Sequence, residues 1–204
     1  MSPSTVSNEQ LMQDYAHGSA TAFEQLYARH EGALFRFIRR VLGHALASQA
    51  DEVFQDCWLR IVHARDSFKP ESGRWKTWAF TIAHNLCLDR LRQSGRAFSL
   101  EDLVGDDETA DSLDWLQETL ASGQPGPEDH AHWRAAGEQL LHCLEALPVE
   151  QRAAFLLHHE DGHSVEELAH ALALSFETAK SRLRYALQKL RGCMRAYLPA
   201  GEPA

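Results

Sequence analysis

The chain has 204 residues, 44% of them hydrophobic, with 20 Lys and Arg against 29 Asp and Glu and a net charge of -9. That length suits one large domain or two small ones; there is no run of about 18 apolar residues to span a membrane, and the opening MSPSTVSNEQ lacks the basic start and apolar stretch of an export signal, which points to the cytoplasm. The acidic total would argue against nucleic-acid contact, but it is unevenly spread: residues 1–97 hold 12 basic and 10 acidic side chains, residues 133–204 hold 8 and 9, and residues 98–132 hold ten acids with no Lys or Arg, so basic patches survive on both flanks.

Helical spacing dominates the first 97 residues. Gln10, Leu11, Met12 and Tyr15 predict a short helix ending near Gly18, with Ser19 as N-cap of the next. Phe23, Leu26, Tyr27, His30, Leu34, Phe37, Ile38 and Val41 then recur at helical steps up to Gly43. Arg36, Arg39 and Arg40 read as a solvated face with no assigned role. Ala50 to Phe68 reads as one helix, buried through Val53, Cys57, Trp58, Ile61 and Val62. Asp51, Glu52, Gln55 and Asp56 crowd its first turns, where acids suit the positive end of the helix dipole. Their bland role is capping and solvation; their sharper role is a polar docking face for a basic partner.

Asp66 to Gly73 is a loop by its Pro, Gly and Ser content. It feeds a helix over residues 74–92, with Trp75, Trp78, Ala79, Ile82, Ala83, Leu86 and Leu91 on a buried face and Lys76, Thr77, Phe80, Thr81, His84, Asn85 and Arg92 opposite. Rings interleaved with cations and amides suit single-stranded nucleic acid, because bases stack on the rings while phosphates meet the cations. Of the two tryptophans, Trp78 is assigned to the core; Trp75, Lys76 and Phe80 are assigned to binding.

Residues 98–132, with Gly105, Gly123, Pro125, Gly126 and Pro127, read as a flexible acidic linker containing one apolar island, Ser112 to Leu116. Helices resume over residues 133–147, with Leu140, Leu141, Leu144 and Leu147 inward. Pro148 opens the next, a position where its missing N–H costs little; Phe155 and Leu156 are buried in it, and Gly162 closes it. Ser164 and Glu167 then form a capping box, with Leu168, Ala171 and Leu172 as the apolar face. After a break at Ala173-Leu174, Ser175 caps a helix whose Phe176, Ala179, Leu183, Ala186, Leu187 and Leu190 face inward. Lys180, Arg184, Gln188 and Arg191 lie opposite, with Thr178, Ser181 and Tyr185 nearby. Two helices, a tight turn and a cationic second helix make a helix-turn-helix, whose second helix fits a DNA major groove; the alternative is a plain helical hairpin with a solvated basic face. The tail from Pro199 reads as frayed. Cys57, Cys87, Cys143 and Cys193 lie far apart without a CxxC and read as buried reduced thiols. The fold class expected is therefore all-α, in two small helical domains.

Several of these segments resemble a known family. Residues 52–60, EVFQDCWLR, are similar to the DLVQETFLR-type segment of bacterial RNA polymerase sigma factors, and residues 77–92 to their W-x-x-x-I-A-x-N-x-x-x-D-x-x-R segment. Leu147-Pro148 through Arg152, followed by Thr178 to Leu183, resemble the LP-x-x-x-R and TVKSRL marks of the fourth sigma region. The short format points to the extracytoplasmic-function (ECF) subfamily. The resemblance implies residues 1–97 as sigma region 2, 98–132 as linker and 133–204 as region 4; with no nucleophile-base pairing and no phosphate loop in the residues, no enzymatic activity, cofactor or metal is expected. It implies core RNA polymerase as partner, Asp51, Gln55, Asp56 and Trp58 docking on the clamp coiled coil of its largest subunit. It implies that Arg74, Trp75, Lys76, Phe80, His84, Asn85 and Arg92 serve the minus-ten element, which is opened and yields an unpaired base. Thr178, Lys180, Ser181, Arg182, Arg184 and Tyr185 would read the minus-thirty-five element of the promoter DNA, with Arg182 as a phosphate contact. An anti-sigma factor, commonly membrane-bound, usually holds such proteins inactive; the chain itself does not insert in a membrane. The linker would thread through polymerase toward the RNA exit path, its acidity imitating RNA.

The chain departs from the pattern at Glu177, where relatives often carry Gly, and at Thr81, where they often carry Arg. The Glu177 carboxylate can accept from a cytosine amine. Two rival readings remain. A DNA-binding regulator without polymerase duties would share the C-terminal module but not the acidic turn at Asp51 or the aromatic-basic helix. A metal enzyme would use the twelve histidines, of which His158, His159 and His163 cluster and His130 and His132 form an HxH pair; their spacing lacks the convergent ligand set a zinc site needs.

Overall fold

Serine hydroxyls start four of the helices. Those of Ser7, Ser19, Ser164 and Ser175 accept from the backbone N–H three residues on, satisfying donors that a helix N-terminus leaves free. The computed structural model describes residues 6–95 and 129–197, and among these every regular element is helical. In chain order they are α1 (Asn8–Ala16), α2 (Ala20–Leu42), α3 (Ala50–His63), α4 (Trp75–Gln93), α5 (Asp129–Ala146), α6 (Val149–His159), α7 (Val165–Ala171) and α8 (Phe176–Cys193). The acidic stretch up to Glu128, its apolar island and the tail from Pro199 lie outside the described residues.

α1 to α4 pack round Met12, Leu26, Leu34, Phe37, Ile38, Leu42, Ile61 and Trp75, all fully buried. α2 ends at Gly43, whose φ of 68° lies in the left-handed region that favours glycine. The helix expected over residues 50–68 stops at His63. A 3-10 turn over Arg65–Ser67 follows, with the Ser67 hydroxyl donating to Ala64 O at 2.7 Å, and Phe68 is extended so that its ring meets Trp78. α5 begins at Asp129, earlier than the expected Trp133. α6, α7 and α8 enclose Leu156, Leu157, Leu168, Ala179 and Leu190. The capping box forms as expected, with Glu167 N donating to Ser164 Oγ at 3.2 Å and Ser164 N to Glu167 Oε2 at 2.9 Å. The break between α7 and α8 falls at Ala173, held at φ 55°. Phe176, expected inside, is 42% exposed, because as the first residue of α8 it precedes the turn that packs on α7.

Two expectations are corrected. Cys143 and Cys193 are joined by a disulfide: α5 and α8 run side by side and bring the two Cα atoms within 5.9 Å, inside bridging range. Cys57 and Cys87 are free and buried, and burial pushes the Cys57 thiol up to about 12. The two helical heads, read from the sequence as separate domains on a flexible linker, pack directly: α6 lies against α2 and α7 against α4.

Candidate nucleic-acid interface

α3 holds the residues expected to dock on polymerase. Asp51, Glu52 and Gln55 are exposed and Asp56 half-buried. Arg90 of α4 pairs with Glu52 at 2.9 Å and reaches Asp56 at 3.9 Å, steadying the acidic turn from behind. Trp58 does not join them. It is only 6% exposed, packed on Tyr27 at 4.8 Å, Phe23 at 5.7 Å and Trp75 at 6.4 Å. Its neighbour Leu59 is 54% exposed instead and lies one helical turn past Gln55, so the outward stripe is Asp51, Gln55, Leu59. The signal was its spacing, at the fourth residue after Gln55.

On α4 the two tryptophans exchange the places expected of them. Trp75 is fully buried against His30 at 4.6 Å, its backbone N–H donating to Glu9 Oε1 at 2.9 Å, and this bond from α1 sets the entry of the helix. Trp78 is half-buried beside Phe68 and lines a cleft of about 450 Å³ between the heads with Lys69, Arg74, Thr81, Glu167 and His170. Apolar residues occupy almost every side of this helix, so spacing alone could not choose between them.

Much of the expected DNA face of α4 is covered by α7 and the turn before it. Thr77, Phe80 and His84 are buried; Lys76 is half-buried, while Arg74, Asn85 and Arg92 are exposed. The Phe80 ring meets His163 edge-on at 5.2 Å. Lys76 Nζ donates to the Asp161 carbonyl, and Arg74 pairs with Glu167 at 3.0 Å. The second head thus supplies acceptors to the cations that a phosphate backbone would use. Burial lowers His84 to about 4, with Arg182 and Arg92 adding repulsion, and it lowers His163 to about 4, with Lys76 adding. Both rings are neutral at pH 7.

α8 turns most of its cations outward, but the Arg182 Nε is buried. Lys180 is exposed, and Thr178, Ser181, Arg182, Arg184 and Tyr185 are half-buried. Arg184 lies over the Tyr185 ring at 5.1 Å, which holds a guanidinium and a phenol together on one surface. Glu177 is exposed in the first turn.

The histidines hold structure together. His158 Nδ1 bonds the His163 carbonyl at 2.7 Å, His163 Nδ1 bonds Leu157 O at 3.2 Å, and His159 stacks on Phe155 at 4.6 Å. Among the described residues no group of three His, Cys, Asp or Glu side chains is arranged to hold a metal, and no helix is long and apolar enough to cross a membrane.

Sequence reasoning missed Arg152. It is 7% exposed, with both Nη atoms at backbone carbonyls: Arg40 and Val41 at 3.2 Å, Glu145 and Leu147 at 3.0 Å. The available signal was its place at the end of LP-x-x-x-R, directly before the apolar run Ala153 to Leu157.

Two family models match the chain: Sigma-70 region 2 over residues 26–97 and Sigma-70, region 4, over residues 137–190. Among curated proteins the chain is 28% identical over 190 residues to the ECF RNA polymerase sigma factor SigK of Mycolicibacterium vanbaalenii, covering 93% of this chain and 90% of that one. It is 29% identical over 197 residues to the ECF RNA polymerase sigma factor SigM of Mycobacterium tuberculosis, covering 96% and 88%. Among solved structures it is similar in fold to CnrH in complex with the cytosolic domain of CnrY, with TM-score 0.63, 24% identity and 93% and 97% of the two chains covered. It is also similar in fold to the sigma factor RpoE of Bartonella quintana in complex with the anti-sigma factor NepR, with TM-score 0.60, 24% identity and 85% and 96% covered.

Proposed function

Because the chain belongs to the sigma-70 family of transcription initiation factors, in its ECF group, we propose that it binds core RNA polymerase in the cytoplasm and directs it to a promoter. The division of labour is residues 1–97 for polymerase docking and the minus-ten element, 98–132 as tether, and 133–204 for the minus-thirty-five element. The observation that carries this reading is α8: a serine-capped helix, set by the turn at Ala173 and showing Lys180, Arg184 and Tyr185 on its open side. Such a helix enters a major groove by its N-terminal half. Lys180 and Arg184 are the base-edge candidates, Thr178 and Ser181 flank them, and Arg182 meets phosphate.

Docking on the polymerase clamp falls to Asp51, Gln55, Asp56 and the newly exposed Leu59; Trp58 supports that helix from the core. At the minus-ten element Arg74, Lys76, Asn85 and Arg92 meet the backbone, and the cleft with Trp78 and Phe68 offers rings to an unpaired base. Trp75 sits beneath this surface. Phe80 and His84 are reachable only after α7 moves off α4, so the packed arrangement is an inactive one. Control by an anti-sigma factor fits this: the two structures similar in fold were solved with CnrY and with NepR bound to those proteins.

The test is run-off transcription with core polymerase, this chain and the DNA upstream of its own operon. Specific initiation that requires both proteins is the expected result. DNA binding with no core-dependent transcript would favour the plain helix-turn-helix regulator.

A further inference from the structure

α2 ends at Leu42 and α5 at Ala146, and the last carbonyls of both helices need donors from outside. One guanidinium supplies them. Arg152 Nη1 donates to Arg40 O and Val41 O at the end of α2, and its Nη2 donates to Glu145 O and Leu147 O at the end of α5. The planar fork suits this double task, and its charge faces the negative ends of two helix dipoles. Gly43 makes the approach possible: a Cβ there would stand 2.9 Å from Arg152 Nη1. Around this point Arg40 pairs with Glu160, and the His44 N–H donates to Glu145 Oε1 at 3.0 Å.

We propose that Arg152, seated against Gly43 and flanked by the Arg40–Glu160 pair, latches the free chain shut, so that region 4 masks the minus-ten face of region 2 without any partner protein. Beside the Phe80–His163 contact, the interface holds ion pairs and hydrogen bonds whose partners water, polymerase and DNA can replace. Half of the bonds of Arg152 stay within region 4; opening breaks its two bonds to α2 together with the Arg40–Glu160, Arg74–Glu167 and Lys76–Asp161 contacts. An anti-sigma factor would then stabilise a form that the chain already adopts.

The test uses the full chain with dyes at Gln25→Cys and Gln188→Cys, both exposed, while Cys57 and Cys87 are buried and silent. Energy transfer between the dyes reads closure. Carbethoxylation of His84 and His163, followed by mass spectrometry, reads exposure of the interface. Wild type should show high transfer and slow modification. Arg152→Lys, whose ammonium cannot span four carbonyls, and Gly43→Ala should each lose transfer and modify about tenfold faster, the shift expected from losing a charge-assisted hydrogen bond. Gly95→Ala is the control: its φ of 72° carries the same strain, with nothing within 4 Å. Glu160→Arg touches neither core; it should open the chain, and adding Arg40→Glu should close it again. Wild-type transfer in Arg152→Lys or Glu160→Arg, or an equal opening by Gly95→Ala, overturns the latch. No DNA or polymerase is present, so that failure would leave the promoter reading untouched.

Discussion

Trp58 is packed among four aromatic rings, while Leu59 beside it is 54% exposed, and the two substitutions to alanine should separate stability from docking. Trp58→Ala empties a core position and should cost about 3–5 kcal/mol of stability, seen as a fall in the denaturant midpoint. Leu59→Ala should leave that midpoint within about 0.5 kcal/mol, as surface substitutions do, yet weaken pull-down of core polymerase, more so with Gln55→Ala added. Unchanged pull-down would move the docking face off α3. On α8, Lys180→Ala and Arg184→Ala should each weaken binding of the transcribing complex to its promoter by about 1–3 kcal/mol, and Arg184→Ala should also relax base preference. A set of mutated minus-thirty-five elements measures this, and equal transcription from all of them would refute the assignment. The neighbouring Tyr185 ring, which holds the guanidinium at 5.1 Å, is the reason to expect the sharper effect at Arg184.

Two element-level linkages follow from how the helices are held. The Cys143–Cys193 disulfide closes a 50-residue separation and ties α5 to α8, across the helix-turn-helix. Chain-entropy reasoning assigns such a loop about 4 kcal/mol. Reduction, or replacement of both cysteines by serine, should therefore lower the melting temperature of the region containing α5 to α8 and leave the α1–α4 core nearly unchanged. Hydrogen exchange resolved by segment would show an effect spread evenly over both if this is wrong. The second linkage is pH. His84 and His163 have folded pKa values near 4, chiefly from burial, so the unfolded chain binds more protons between about pH 6.5 and 4. Their contribution is full above pH 6.5 and fades as pH falls, by about 2 kcal/mol each at pH 5. Asp161 works in the opposite sense: burial raises it to about 6, so acid favours the folded form there by about 1 kcal/mol at pH 5. The histidines win, and thermal melts should show lower stability at pH 5 than at pH 7.5; a higher melting point at pH 5 would contradict this balance.

For the molecule as a whole, the charged contacts between α6–α7 and α2–α4 occupy groups that the proposed promoter contacts would use. Adding core polymerase and promoter DNA to the dye-labelled chain should therefore lower energy transfer, because the DNA face proposed for α4 is covered in the packed form; transfer that stays at the free-chain value would mean the packed form is itself the working one. Serine caps, the capping box, the end of α2 at Gly43 and the cationic side of α8 were legible in the residues, because each depends on neighbours within one or two turns of helix. So was membership of an all-helical, two-headed class, through its ordered motifs. What the sequence could not rank was the facing of α4, whose apolar residues circle the helix: Trp75 went inside and Trp78 to the cleft because Glu9, 66 residues earlier, grips the Trp75 N–H. Nor could it show that Cys143 meets Cys193 or that Arg152 caps two helices at once. Those outcomes depend on where distant backbone ends come to rest, and only packing in three dimensions brings them within bonding distance.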